Sequence, residues 1–438
     1  MRREILYGYG VRAMTGAAVF RGVSAKSVPL DESMRRLLFY VFVAIVYLAM
    51  FGIRVLPDFS VSFSLVAVYA LAAWLLIKGQ ASFDLPSLFL FCAVLLVGCA
   101  SVFANSGGYF SLPSLLLLVV LYFPFTLSVT PGAQTERLRQ YGIKCFCDLS
   151  LGLAVCAIVQ YALQYVLHAS WLFNLGSFIP DWFSASGVWN HAVPVNGAFK
   201  ANGLFQREPS GLSMLLGLAF VVEMTQARRY GRLAIMALAM ALSYSGTGIL
   251  IAAAGLLLPT NGPALRRSLI LLAAGVAFWL LFRDLLNLNV FLDRANEFDK
   301  PNTSGYARFV APLDVVQYGF GSSWWAPAIG SGPGTIQPAI VRYTTTYAIH
   351  DPTWAKLLFE YGVMGFGGMV AFAVAMVRRS AAPVELKIAL FYTWFAAGGM
   401  LLNPDVLALL FGLSALWRAP SCAPVQVVPR RFAMARAA

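Results

Sequence analysis

Three stretches of the sequence bring together residue types capable of chemistry. The first, Lys200-Ala-Asn202-Gly-Leu-Phe205-Gln-Arg207-Glu208-Pro209-Ser210-Gly211, leads into an apolar run. Pro209 suits a first helical turn, where its missing N–H costs no hydrogen bond, and the free N–H groups of that turn favour an anion. Arg207 beside such a helix end can hold a phosphate through paired hydrogen bonds. It can equally be an interfacial arginine that reaches lipid headgroups along its apolar stem. The second stretch, Thr303-Ser304-Gly305-Tyr306-Ala307-Arg308-Phe309, is followed further on by Gly330-Ser331-Gly332-Pro333-Gly334. Glycine lets a backbone approach a ligand closely. No Lys-Ser or Lys-Thr follows to make a nucleotide-binding loop, and a plain turn explains the same residues. The third stretch runs from His350 and Asp351 through Lys356 to Glu360, and opens on one of only three histidines. A neutral imidazole can take a proton from a hydroxyl near neutral pH, with Asp351 or another carboxylate to orient it. A lone histidine also serves as a helix cap or polar contact.

Other mechanisms find no matching residues. No HExxH pair or Cys/His cluster suggests zinc, and no Asp-rich stretch suggests a magnesium–diphosphate site, so neither a metal nor another cofactor is expected. The chain of intramembrane carboxylates typical of a proton pump is missing. Glu223 is the main acidic residue within an apolar run, and it lies near the run's end, within reach of water.

The elements that must position these residues are membrane helices. The chain is 59% hydrophobic and only 12% charged, with mean hydropathy +0.73. A soluble domain carries about twice that charge fraction, and an aqueous fold with so little polar surface would expose large apolar patches. The net charge of +13 does not form a patch for nucleic acid. It falls in short clusters between apolar runs, as cytoplasmic loops do. Candidate spans are 37–55, 61–77, 85–104, 111–129, 145–167, 209–226, two arms within 233–260, then 268–283, 353–377, 386–402 and 405–417. The two arms meet at Ser243-Tyr244-Ser245-Gly246-Thr247-Gly248 and have about a dozen residues each, or roughly 18 Å at the helical rise. That is short for a full crossing, so the turn is expected below the outer surface.

Arg35, Arg137, Arg229, Arg266, Arg379 and Arg418 mark the inner side by the positive-inside rule. The expected fold is therefore all-α and polytopic, with about twelve transmembrane helices in one domain over 37–417 and cytoplasmic tails at 1–36 and 418–438. Met1 to Arg36 lacks the apolar h-region of a signal peptide and reads as a retained tail. Two outward loops result, at about 168–208 and 284–352, the longer one between helices 9 and 10. Loops this long are functional or disordered, and the second is too rich in aromatics for disorder. The six cysteines lie in apolar runs or beside basic segments and suggest no disulfide framework.

In this order and topology the segments resemble the O-antigen ligase and Wzy-type polysaccharide polymerase superfamily, over about half the chain, 200–417. The resemblance rests on Asn202-Gly-Leu-Phe205 to Ser210, the Ser243 to Gly248 turn, Arg308, the Gly330 to Gly334 segment and His350 to Gly362. It implies a metal-independent glycosyltransferase of the bacterial inner membrane, working on the periplasmic face with undecaprenyl-diphosphate-linked oligosaccharides. Flippase and chain-length or export proteins are its implied further partners. By resemblance, Arg207 and Arg308 bind the diphosphate and His350 is the general base, with Glu208 as a second candidate base. Asp351, Trp324, Trp325 and Tyr347 would contact acceptor or sugar. Many members carry an arginine in the short polar turn where this chain has Gly246, which leaves Arg342 or Lys200 to supply that contact. The Glu-Pro-Ser and His-Asp-Pro-Thr-Trp wording favours an exopolysaccharide or O-antigen polymerase. The alternatives are an O-antigen ligase acting on lipid A core and, in another class, a lipid-linked oligosaccharide flippase or transporter.

Overall fold

The computed structural model describes residues 32–419 except 57–58, 169, 186–191, 196, 259–261, 287, 294–296, 302, 344–348 and 398. Most of both expected tails, and Tyr347, lie outside the described residues. The chain is 72% helical with a few small strands. In order come α1 (Glu32–Tyr47), α2 (Phe63–Ile77), α3 (Leu85–Ala104), α4 (Leu112–Tyr122), α5 (Ala133–Leu167), α6 (Pro209–Gln226), α7 (Tyr230–Leu242), α8 (Gly246–Leu256) and α9 (Gly262–Phe282). The long second loop folds into α10 (Val290–Asp293), α11 (Ser304–Phe309), α12 (Ala311–Phe320), α13 (Ala326–Ile329) and α14 (Ile336–Tyr343). Then follow α15 (Thr353–Arg379), α16 (Val384–Ala396) and α17 (Pro404–Leu410). Among the described residues there are also three antiparallel two-stranded pairs: β1 (Gly52–Leu56) with β2 (Phe59–Ser62), β3 (Ala81–Phe83) with β4 (Leu127–Val129), and β5 (Pro194–Val195) with β6 (Ala198–Phe199).

Among the described residues, four helices are long and apolar enough to cross a bilayer: α3, α5, α9 and α15. The twelve full crossings expected from sequence are not supported. The remaining apolar runs do form helices, but local chemistry shortens them. The run at 37–55 leaves the helix at Tyr47 and turns into β1. The run at 111–129 stops where Phe123-Pro124 opens a 3-10 turn, since proline cannot continue the backbone ladder. Conversely, α5 is longer than its apolar part: basic residues 137–144 and the span at 145–167 form one helix of 35 residues.

Helix starts follow the punctuation of the sequence. Ser62 caps α2 by accepting from the Leu65 N–H, and Ser111 caps α4 by accepting from Ser114. Asn403 accepts from Asp405 and Val406 at the start of α17. Pro209 opens α6. Each device satisfies donors that a helix end otherwise leaves open.

The packing has α6 at its centre, against α5, α7, α8 and α16. Helices α6 and α8 meet backbone to backbone. An added Cβ at Gly217 would lie 2.5 Å from the Gly248 carbonyl oxygen, and one at Gly248 would overlap Ser213. The turn joining α7 to α8 is enclosed, with Ser243 fully buried and Tyr244 only 2% exposed. Its backbone is satisfied by protein. Ser213 Oγ donates to the Ser245 carbonyl at 2.9 Å and accepts from the Gly248 N–H at 3.0 Å. Non-helical backbone away from water is tolerated only with such partners.

One end of the bundle carries both loops: the starts of α6 and α15 lie there, as does the end of α3, whose Ser101 and Asn105 bond to the Gly330 carbonyl. At the other end, Glu223 is fully buried. It accepts from Arg229 at 2.5 and 2.8 Å and lies 3.5 Å from Arg232, which also holds Asp148 at 2.6 Å. The expectation that Glu223 reaches water is thus corrected: two guanidinium groups neutralise it instead. The second loop has its own apolar core of Val315, Ile336, Ile340 and Ile349 around Phe359 of α15, which seats the loop on the helix start.

The α6–α8 contact can be checked at two glycines of one turn. Gly248→Ala should cost about 3 kcal/mol or more through overpacking, lowering the unfolding midpoint in detergent. Gly246→Ala should be nearly neutral, because its added Cβ meets nothing within 4 Å.

Candidate functional site

Arg308 lies in the last turn of α11, a short helix whose start is capped by Thr303. From there its Nη1 donates to Thr247 Oγ1 at 3.3 Å, across to the buried turn between α7 and α8. This turn thus receives a guanidinium from another element. Gly246 in that turn leaves open space where a side chain would project.

His350 is held beside this arginine. Its backbone N–H donates to the Ala307 carbonyl at 2.9 Å, fixing the approach to α15 against α11. The residue is exposed, yet enough protein surrounds the ring to hold its pKa below the ordinary imidazole value. Lost hydration is the first cause and the positive charge of Arg308 the second; Glu208 and Asp351 pull in the opposite direction. Both leading causes disfavour the imidazolium, so the ring is neutral at neutral pH and free to accept a proton. Glu208 occupies the cap position of α6, is exposed, and accepts from Ser210 Oγ at 2.7 Å. Thus Arg308 and Glu208, from two other parts of the chain, both lie close enough to His350 to act on its charge, in opposite directions.

Arg207 is differently committed, although it adjoins Glu208. Its Nε donates to the Ala49 carbonyl at 2.6 Å and its Nη2 to Asp405 Oδ2 at 3.3 Å. Ser64 Oγ donates to the other Asp405 oxygen at 2.5 Å. Any anion reaching Arg207 has to share it with Asp405. Asp351 likewise does not hold the imidazole by a hydrogen bond; its carboxylate pairs with Lys356 Nζ at 3.3 Å, which also pairs with Glu360 at 3.1 Å. Trp325 donates from Nε1 to Asn105 Oδ1 at 3.4 Å, and Trp324 packs edge-on against it with 88% of its surface exposed. Arg342 is exposed in the last turn of α14, and Lys200 is half-buried, its N–H donating to the Val193 carbonyl.

The glycine-rich segment has a structural occupant. Gly330 and Gly362 both have φ in the left-handed region, at 82° and 62°, and each presses on backbone: Gly330 on Glu360, Gly362 on Ala328. Gly330 approaches α15, while Gly334 closes against Ser111 and Ser114 at the start of α4.

Sequence reasoning named Thr247, Lys356 and Glu360 without giving them a role, and it passed over Asp405, the Arg207 partner. Lys356 and Glu360 pair with each other. Asp405 and the Lys356–Glu360 pair carried a signal, since charged residues within or beside apolar runs are costly and mark function or pairing.

Replacing Arg308 with methionine should raise the midpoint at which His350 titrates, by removing the second cause of its depression. The measurement is NMR of histidine-labelled protein in nanodiscs, where only three imidazoles contribute. An unmoved midpoint would show that the guanidinium does not act on the ring. No known family model matches this chain, and no curated protein matches it significantly.

Proposed function

We propose that this protein is a membrane glycosyltransferase that polymerises undecaprenyl-diphosphate-linked oligosaccharide repeats at the periplasmic face of a bacterial inner membrane. The observation that carries the reading is that His350, tied by its backbone to the residue before Arg308 at the loop-bearing end of an apolar helical bundle, is kept neutral with Arg308 and Glu208 both acting on its charge.

The chemistry follows from charge. The acceptor hydroxyl oxygen forms a bond to the anomeric carbon of the donor sugar as the bond from that carbon to the diphosphate oxygen breaks. The hydroxyl proton passes to the free imidazole nitrogen of His350. The electron pair of the broken bond leaves on the diphosphate, where Arg308 meets the growing negative charge from a fixed position. Glu208 stabilises the imidazolium so formed. Thr247 holds Arg308 in place before the substrate arrives, which lowers the reorganisation needed at the moment of reaction. Trp324, with its open face, offers a surface for a sugar ring, and Arg207 is a second phosphate contact that becomes available as Asp405 yields.

Base function at His350 is present above its folded pKa and lost as pH falls through it. Since that pKa is depressed, the acid limb of the rate should have its midpoint below the ordinary value of about 6.5. Arg308→Ala should lower turnover by about 10²–10³, and His350→Ala by about 10²–10⁴, with the protein still in the membrane by immunoblot. Unchanged polymer yield in either variant would refute the assigned role. In a deletion strain, single repeats accumulating on the lipid carrier support a polymerase. Free polymer that never reaches lipid A points to a ligase, and repeats confined to the cytoplasmic leaflet to a flippase.

A further inference from the structure

Lys356 lies one turn inside α15, the helix that follows His350. Its side chain is only 9% exposed and is enclosed by two carboxyl groups: Nζ lies 3.3 Å from Asp351 Oδ2 and 3.1 Å from Glu360 Oε1. Glu360, one turn further along, is fully buried and anchored on its own account. Its Oε1 also accepts from the Ile336 N–H at 3.4 Å. Its backbone carbonyl accepts from the Gly332 N–H at 3.1 Å and from Ser101 Oγ at 3.2 Å. The inner end of the group is thus fixed by α14, the glycine segment and α3. The outer end is Asp351, the residue beside His350.

An ammonium taken out of water is costly unless well paired, and an apolar side chain of similar volume often serves stability as well. What the lysine adds over such a side chain is direction. A carboxylate next to an imidazole can turn to it and favour its charged form. Here Asp351 Oδ2 is given to Lys356 instead. Of the influences on His350, that of Asp351 is the weakest, although it is the adjacent residue. Lost hydration, Arg308 from α11 and Glu208 from the start of α6 all exceed it. The backbone on either side is fixed as well. The His350 N–H donates to the Ala307 carbonyl at 2.9 Å, and the Asp351 carbonyl accepts from the Gly399 N–H at 3.3 Å. With the peptide groups held, the Asp351 side chain is the part of this segment that can turn either to the lysine or to the imidazole.

We propose that Lys356 is a positioning residue for His350: it holds the Asp351 carboxylate toward α15, so that the imidazole is governed by Arg308 and Glu208 rather than by its neighbour. In glycosyl transfer this keeps the ring a base instead of an imidazolium at neutral pH. That consequence rests on the reading of His350 as the base; the arrangement of charges does not.

The test titrates histidine-labelled full-length protein in nanodiscs by NMR, with the His350 signal assigned by its loss in His350→Gln. Lys356→Met should raise the His350 midpoint by about 1 pH unit, because the released carboxylate then turns to the ring. Adding Asp351→Asn to that variant should return the midpoint to its native value. A lysine that only clamps the loop to the helix predicts otherwise: Lys356→Met lowers thermal stability and leaves the midpoint where it was. That result, or a rise that persists after Asp351→Asn, would overturn the proposal. If Lys356→Met alone does not fold, Lys356→Met with Glu360→Leu removes both buried charges and carries the same two expectations. The rate supplies a separate check, since the acid limb of glycosyl transfer should move up with the midpoint. A midpoint that moves without the limb keeps Lys356 in its role and removes His350 as the base.

Discussion

At Gly217 and Gly248 two helices run so close that a side chain on either would overlap the backbone of the other. That contact fixes the depth of the turn between α7 and α8, because Ser213, one helical turn before Gly217, donates to one backbone group of the turn and accepts from another. Thr247 sits within the turn and receives Arg308. Arg308 in turn shapes the charge around His350. A chain of short-range constraints therefore leads from two missing side chains inside the bundle to the protonation state of an imidazole at its surface. Inside an apolar medium the backbone has no water to turn to, so a turn held this way has one solution rather than several.

The charged residues obey the same rule at both ends of the bundle. Read as a pattern, the arginines mark a side of the membrane; in three dimensions many have assigned partners. Glu223 is enclosed by Arg229 and Arg232, Asp84 by Arg379 and Arg418, and Asp405 by Arg207. Removing one member of such a pair leaves an uncompensated charge in a poorly polar setting, which costs about 3–5 kcal/mol when the site is fully buried. The surplus of positive charge at the end remote from the loops is thus partly structural.

How far the sequence could be read depended on the range of the interaction. The bounds of α3 and α6 coincide with their apolar runs, since Pro86 and Pro209 mark the starts within a residue or two. The polar break at 243–248 is legible for the same local reason. The full length of α5 is not: charged residues 137–144 look like a loop until Arg139 pairs with Glu136 along the helix and Arg232 comes across to Asp148. The site divides similarly. Arg308, His350 and Glu208 are visible as residue types, but Arg207 and Asp405 meet across 198 positions of sequence, which no local pattern encodes. The glycines of 330–334 announce a close approach without saying to what: Gly330 meets the backbone at Glu360, and Gly334 the side chains of Ser111 and Ser114.

That approach bears on how a surface imidazole stays in register. Asp351 follows His350 directly, and its carboxylate is held by Lys356, which is itself held by Glu360. Glu360 also accepts from the Ile336 N–H at the start of α14, so the loop, the start of α15 and the residue after the imidazole are tied through one buried lysine. With Gly362 in a left-handed conformation against Ala328, α15 kinks where the glycine segment presses on it, and a helix free to straighten would part from α13. Lys356, buried between the two carboxyl groups, is stable there only while it stays hydrogen-bonded to both. Rotation of the His350 segment would break the lysine's pairing with Asp351 and leave its charge to Glu360 alone. The imidazole is therefore held from beneath, by charges inside the bundle, while its own ring stays open to whatever reaches the surface.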